Sequence, residues 1–365
     1  MGRPQKRPRL MYVRRIDQNY LNQLVSTRLA SSLPQTARRI ALQKIAEASP
    51  VNTSAEWPKA LRSLGFDVLD VPMNFRALRQ TYPDFEPDGS SGLDFVHFMA
   101  SSWQPDIVVT KGLNLVGSPN DLRKLVSGSC LVVGHCTDTH GHELATEFDA
   151  IISGCSRLTM KFKSQGVRGA TVSNGIDARF VQERRALPRP RNRAVFVGSL
   201  GSGYSLRREI VESLWQQGLL DVYSPDAESL APKRLDASCD PGVVTSGVSR
   251  RKMMALFGKY PVVVHVPGDS HINPSCSDAL RLYEATASRA CLATLCAADL
   301  HEKFVSDLNY SEVACFSVSN FSSVVADLLQ NPAETRVIAS RGFDRTRRDH
   351  TIPAKAAEIA DFLKQ

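Results

Sequence analysis

Short apolar runs, each too brief for a helix, recur along this chain and alternate with longer amphipathic stretches; no other feature narrows the possible folds as much. Residues 66–71, 107–110, 130–134, 150–153 and 170–173 read as strands, and the pattern restarts with 194–198, 220–223, 260–266 and 290–295. Helices are expected between them, at 206–217 and 250–258 among others. Strands alternating with helices in this way imply parallel sheets with crossover helices. Between the two series lies Q-E-R-R-A-L-P-R-P-R-N-R at 182–193, polar, basic and twice interrupted by proline, which reads as a linker. The expectation is therefore α/β, with two Rossmann-like doubly wound domains facing a central cleft. The first, 1–185, carries a helical N-terminal extension around 20–48, and the second spans 194–335. The tail, helical from 332 to 363 with a break at 350–353, gives a final segment, 336–365, expected to pack back toward the N-terminal domain.

At 365 residues the chain is long enough for two cores, and 42% hydrophobic with 22% charged residues is ordinary for a globular protein. It has no apolar run of roughly 18 residues, the length a spanning helix needs. Its basic first ten residues lack the apolar stretch of a signal peptide. The expected location is the cytoplasm. The cysteines, at 130, 136, 155, 239, 276, 291, 296 and 315, form no C-x-x-C pair, so free thiols and no metal site are expected. A formal charge of +8 is spread over short groups with no aromatic-interleaved stripe, which argues against nucleic acid. It suits instead a diphosphate donor, an acidic substrate or peripheral contact with the anionic inner face of a membrane.

The segment 273–295 carries the most chemistry: a turn opens a helix bearing Arg281 and Glu284, which then feeds an apolar strand. Backbone amides at a helix start and a guanidinium suit a pyrophosphate, and a carboxylate one turn on suits ribose hydroxyls. The same two residues, spaced i,i+3, also fit an ordinary surface ion pair. His265, Asp269 and His271 lie in the preceding loop. Ser275 and Ser277 can cap the helix or offer hydroxyls to phosphate. The loop Gly198, Ser199, Leu200, Gly201, Ser202, Gly203 allows close backbone approach of a ligand, yet its G-x-x-G-x-G spacing is not that of dinucleotide binding.

The order V-F-V-G-S-L-G, a basic helix, N-P-S followed by R-L-Y-E-A-T-A-S-R-A-C-L-A-T, and L-L-Q-N-P-A-E-T-R-V-I-A-S-R-G resembles the C-terminal half of group-1 glycosyltransferases of the GT-B fold, most closely the spore-maturation-type (CgeB-like) branch. Residues 148–153 and the run 172–177 are similar to the family's pattern closing the acceptor domain, and the resemblance covers about 106–350. It implies a nucleotide-sugar donor held by the C-terminal domain and a glycan, lipid-linked or small-molecule hydroxyl acceptor held by the N-terminal one, with no cofactor or obligatory metal. Glu284 would hold the ribose and Arg281 the diphosphate. Gly198, Ser199, Gly201, Arg207, Lys252, His271 and Ser275 complete the expected donor site. One departure stands out: many group-1 enzymes carry E-x₇-E, but the residue eight before Glu284 is Cys276, and the nearest acid is Asp278.

Transfer to a hydroxyl needs a base or stabilisation of an oxocarbenium-like sugar. Residues 134–143 follow a strand and concentrate His135, Asp138 and His140 with His142 and Glu143. Asp138 is the first candidate for catalysis, with His135 and His140 beside it; a polar loop with Asp138 as a helix cap is the plainer alternative. Zinc fits poorly, since His140 and His142 are too close to converge on an extended segment. Lys111 and Gly112 are further candidates. The expected activity is metal-independent glycosyl transfer in bacterial surface or secreted glycan assembly. A non-catalytic nucleotide-sugar-binding module is the alternative, and a nucleic-acid binder rests on charge alone.

Overall fold

The computed structural model describes residues 7–15, 34–48, 56–82, 84–85, 91–127, 129–136, 142–182, 192–226, 230, 244–245, 250–268, 278–306 and 311–365. Two compact units emerge, one formed by 1–172 together with 352–365 and the other by 173–351. The linker read at 182–193 lies mostly outside the described residues, and the chain passes from the first unit to the second at 172–173.

The first unit is built on a six-stranded sheet in the order β2-β1-β3-β4-β5-β6. Its strands are β1 (Arg9–Arg14), β2 (Asp67–Pro72), β3 (Ile107–Lys111), β4 (Leu131–Cys136), β5 (Ala150–Ser153) and β6 (Arg168–Thr171), all paired in parallel. β1 was not legible as a strand, because arginines bound its apolar centre. Arg14 is nonetheless fully buried, donating through Nε (2.7 Å) and a terminal nitrogen (2.6 Å) to the two carboxylate oxygens of Asp70 on β2. On one sheet face Leu10, Tyr12, Val109, Val133 and Ile152 pack against Trp57 and Leu61 of the helix Glu56–Ser63, and against Ile352, Ala356 and Ile359 of the final helix Ile352–Leu363.

The second unit has the order β12-β11-β10-β7-β8-β9. Its strands are β7 (Ala194–Val197), β8 (Leu220–Tyr223), β9 (Val244–Thr245), β10 (Val262–His265), β11 (Cys291–Leu295) and β12 (Ala314–Phe316), again all parallel. Continuous apolar strands are what a sheet covered on both faces requires. Phe196, Val264 and Ala293 enter one core, and Val195, Val263 and Leu292 the other. The expected α/β architecture of two doubly wound Rossmann-like domains is present.

The tail forms the helices Pro332–Asp349 and Ile352–Leu363, with the break where the sequence placed it. One expectation fails: Cys296 and Cys315, at the carboxyl ends of β11 and within β12, stand with Cα atoms 5.3 Å apart and are disulfide-bonded. Parallel pairing of β11 with β12 brings them together across 19 residues of sequence. Cys130, Cys136, Cys155 and Cys291 are buried thiols.

Candidate functional site

In a doubly wound sheet, ligands bind beyond the carboxyl ends of the strands, where the strand order reverses. In the second unit that point lies between β7 and β10, and a cavity of about 310 Å³ opens there. Its walls are Phe196, Val197 and Gly198 from β7 and its loop, Val264, His265 and Val266 from β10, and Ala279, Leu280, Arg281 and Glu284 from the helix Leu280–Ala287, with Arg207 closing one side. Four of the expected donor residues, Gly198, Arg207, Arg281 and Glu284, thus meet at one cavity.

Glu284 is only 5% exposed, which removes the reading of a solvated surface pair. Its carboxylate accepts a hydrogen bond from Arg281 at 3.0 Å, and the Arg281 guanidinium also lies 5.2 Å from the centre of the Phe257 ring. At the start of the helix Ala279 provides no capping side chain, and Ala279 and Leu280 themselves line the cavity, so the partial positive charge of the helix start lies at its wall.

Arg207 bridges two walls, donating through Nε to the Val266 carbonyl at 2.8 Å and through Nη1 to the Ser199 carbonyl at 3.0 Å. Its guanidinium stacks on Tyr204, 4.0 Å from the ring centre. The glycine-containing loop is organised by a residue that the sequence did not point to. Asp226 accepts from the Ser199 hydroxyl (2.6 Å) and the Leu200 amide (2.8 Å), while the Gly201 amide donates to Ser199 Oγ (3.3 Å). Those hydrogen bonds, from Ser199 first, hold the Asp226 carboxyl below its ordinary value. Ser199 and Gly201 are therefore turned to an internal carboxylate. Lys252 is exposed on the helix Arg250–Phe257 and does not line the cavity. His271 and Ser275 lie outside the described residues.

Of the expected catalytic residues, Asp138 and His140 also lie outside the described residues. His135 belongs to β4 and not to the loop after it, because β4 keeps pairing with β3 through His135 and with β5 through Cys136. The ring is fully buried, edge-on to Trp57 with centroids 5.6 Å apart. Burial first, and the Lys111 charge second, push its pKa well below the usual histidine value, so it is neutral. Lys111 lies over Trp57 at 5.3 Å.

A second depression, about 580 Å³, lies at the amino edge of the first sheet and is lined by Arg7, Arg9, Arg62, Phe66 and Asp67. Arg62 there donates to the Val68 carbonyl and Arg9 stacks on Trp103. It is the larger cavity, but it is at the wrong end of the strands for a Rossmann-type ligand, and the chemistry converges at the switch point.

Comparisons with known proteins bear on the fold. A family model described as glycosyl transferase-like matches residues 207–361. No curated protein matches the sequence. Among solved structures, sucrose-phosphate synthase from Thermosynechococcus elongatus superposes with a TM-score of 0.67 at 9% identity, over 98% of this chain and 99% of that one. HepE of Anabaena, in complex with UDP-glucose, gives 0.59 at 11% identity over 98% and 99%. S. aureus TarM, in a complex containing UDP, gives 0.55 at 10% identity over 76% of this chain, which spans 59% of TarM. Among the described residues no helix is long and apolar enough to cross a membrane. The chain has the GT-B glycosyltransferase fold, and the segment that matches the glycosyl transferase-like family contains Arg207, Arg281 and Glu284.

Proposed function

We propose that this protein transfers a sugar from a nucleoside-diphosphate donor to a hydroxyl acceptor, as in the group-1 and CgeB-like enzymes it resembles. The carrying observation is the convergence of Glu284, Arg281, Arg207 and Gly198 on the switch-point cavity, beside an uncapped helix start. In this reading Glu284 accepts from the ribose hydroxyls, and Arg281, Arg207 and the helix amides offset charge on the departing diphosphate. The bond from the sugar's anomeric carbon to the diphosphate breaks and one to the acceptor oxygen forms. The acceptor's proton passes to a base, for which Asp138 is the first choice and His140 the other; His135, fully enclosed within β4, is not offered to an acceptor.

His271 and Ser275 complete the proposed donor site, whereas Lys252, exposed away from the cavity, and Ser199 and Gly201, turned to Asp226, are not assigned to it, and no metal is assigned to the reaction. The UDP and UDP-glucose bound by TarM and HepE favour a uridine donor. The acceptor is a glycan, a lipid-linked sugar or a small molecule, in assembly of a bacterial surface or secreted glycan. The work is done in the cytoplasm, with the net positive charge suited to peripheral contact with the membrane's inner face.

A thermal-shift series with UDP, GDP, dTDP, CDP, ADP and CMP tests the reading. One nucleotide is expected to raise the Tm by a few degrees, with the shift lost in Glu284→Ala. No shift with any of them would overturn the donor site. One observation favours a second reading, a binding module without catalysis: Cys276 stands where the first glutamate of the pair is expected, and the neighbouring Asp278 is engaged by Asn174 and Tyr283. That reading predicts donor binding with no turnover, whereas Asp138→Ala in the enzyme should lower kcat far more than donor affinity.

A further inference from the structure

Asp278, two residues before the helix Leu280–Ala287, has an unusual number of partners. Its carboxylate oxygens accept from the Asn174 amide at 3.1 and 3.0 Å, from Asn174 Nδ2 at 2.9 Å and from the Tyr283 hydroxyl at 2.7 Å. Asn174 Nδ2 also donates to the Asp278 carbonyl at 2.8 Å. Tyr283 is fully buried; desolvation, reinforced by the Asp278 charge, pushes its phenol well above the ordinary value and keeps it a donor. Charge-assisted hydrogen bonds of this kind are the strong ones, and three donors converging on one carboxylate fix its position.

What these bonds join matters. Asn174 lies in the segment by which the chain enters the second unit, and Asp278 leads directly into the turn that presents Arg281 and Glu284 to the cavity. The entering segment is in turn tied to the departing one: the Ile176 amide donates to the His350 carbonyl at 2.8 Å, and Ile176 pairs with Thr351. The His350 ring packs against Tyr283 and Phe304, 5.0 Å from each, with Nε2 2.9 Å from the Lys303 carbonyl.

We infer that Asp278 is a positioning residue for the cavity: it ties the first turn of the helix Leu280–Ala287 to the crossing segment at Asn174, so that occupancy of the cavity and order in that segment are coupled. The inference rests on the proposed donor site. Because the helix has no side-chain cap of its own, its first turn takes its order from this tie. Linkage makes the coupling reciprocal, so a ligand that orders the turn orders Asn174 and Ile176, and loosening them weakens the ligand.

The test uses full-length wild type, Asp278→Asn, Asn174→Ala, the double variant and Glu284→Ala, with UDP as probe. Titration calorimetry gives Kd, and hydrogen exchange is followed over 172–177 and 279–284 with and without UDP. UDP should protect both segments in the wild type. Asp278→Asn should raise Kd about tenfold, the effect of weakening hydrogen bonds to a charged group, and speed exchange in both segments even without UDP. Asn174→Ala should act in the same direction while leaving the carboxylate in place, and the double variant should be little worse than either single one. Wild-type affinity and exchange in Asp278→Asn would overturn the inference. If UDP binds the wild type and not Glu284→Ala, the donor reading stands whatever Asp278 does; if UDP binds neither, that reading fails for uridine, and exchange in the ligand-free variants still decides whether Asp278 orders the turn.

Discussion

Asp226 places a negative charge where a glycine-containing loop would otherwise offer its amides to a ligand. Two backbone amides and a serine hydroxyl gathered around one carboxylate form an anion-binding concavity, here filled from within the chain. The sign of its pH dependence follows from the lowered pKa. Ionised Asp226 is favoured by folding, so its stabilisation is complete above the ordinary carboxyl value of 3.8 and is lost as pH falls through the lower folded value. Protection of the Leu200 and Gly201 amides from exchange, taken relative to the intrinsic rate at each pH, should therefore fall on acidification below that range, and Asp226→Ala should show the same low protection at neutral pH. The sequence offers the loop for close backbone approach of a ligand, whereas in the structure Ser199 and the Leu200 amide turn to Asp226. That partner was not legible, because Asp226 lies 27 residues from Ser199 and nothing local announces the pairing. Arg281 and Glu284 were found from their spacing on one helix, whereas the Asn174–Asp278 contact spans 104 residues.

Strands recognised from sequence were those whose apolar residues run without charge, such as Val262–His265 and Cys291–Leu295. β1 escaped because Arg14 reads as a solvated end, whereas it is buried in an ion pair with Asp70, both side chains at 0% exposure. Removing one partner leaves the other charged and enclosed, so Asp70→Ala should destabilise the first unit by about 3–5 kcal/mol, measured by denaturant unfolding. At the level of helix packing, Gly342 lets the helix Pro332–Asp349 approach the backbone of Glu312. A Cβ at that position would stand 2.4 Å from the Glu312 carbonyl oxygen, and backbone cannot step aside as a side chain can. Gly342→Ala should accordingly lower stability by roughly 1–3 kcal/mol, seen as a fall in Tm, despite alanine's better helix propensity.

At the scale of the molecule, the last helix belongs to the unit that holds the first strand. Ile352, Ala356, Ile359, Ala360 and Leu363 fill the core between β1 and the helix Glu56–Ser63. Ending the chain at Thr351 should cost the first unit several kcal/mol, on the order of 2 kcal/mol for each large apolar side chain removed. Calorimetry of the truncated protein should show the transition of the first unit lowered or lost and that of the second retained. The Ile176–Thr351 pairing has one more consequence. Since 173–351 begins and ends at neighbouring points, that stretch has the layout of a cassette spliced into a host, and domains with adjoining ends tolerate excision and transplantation. Expressed alone, 173–351 should fold with its cavity intact, and a foreign domain with similarly spaced ends should be accepted in its place without unravelling the host.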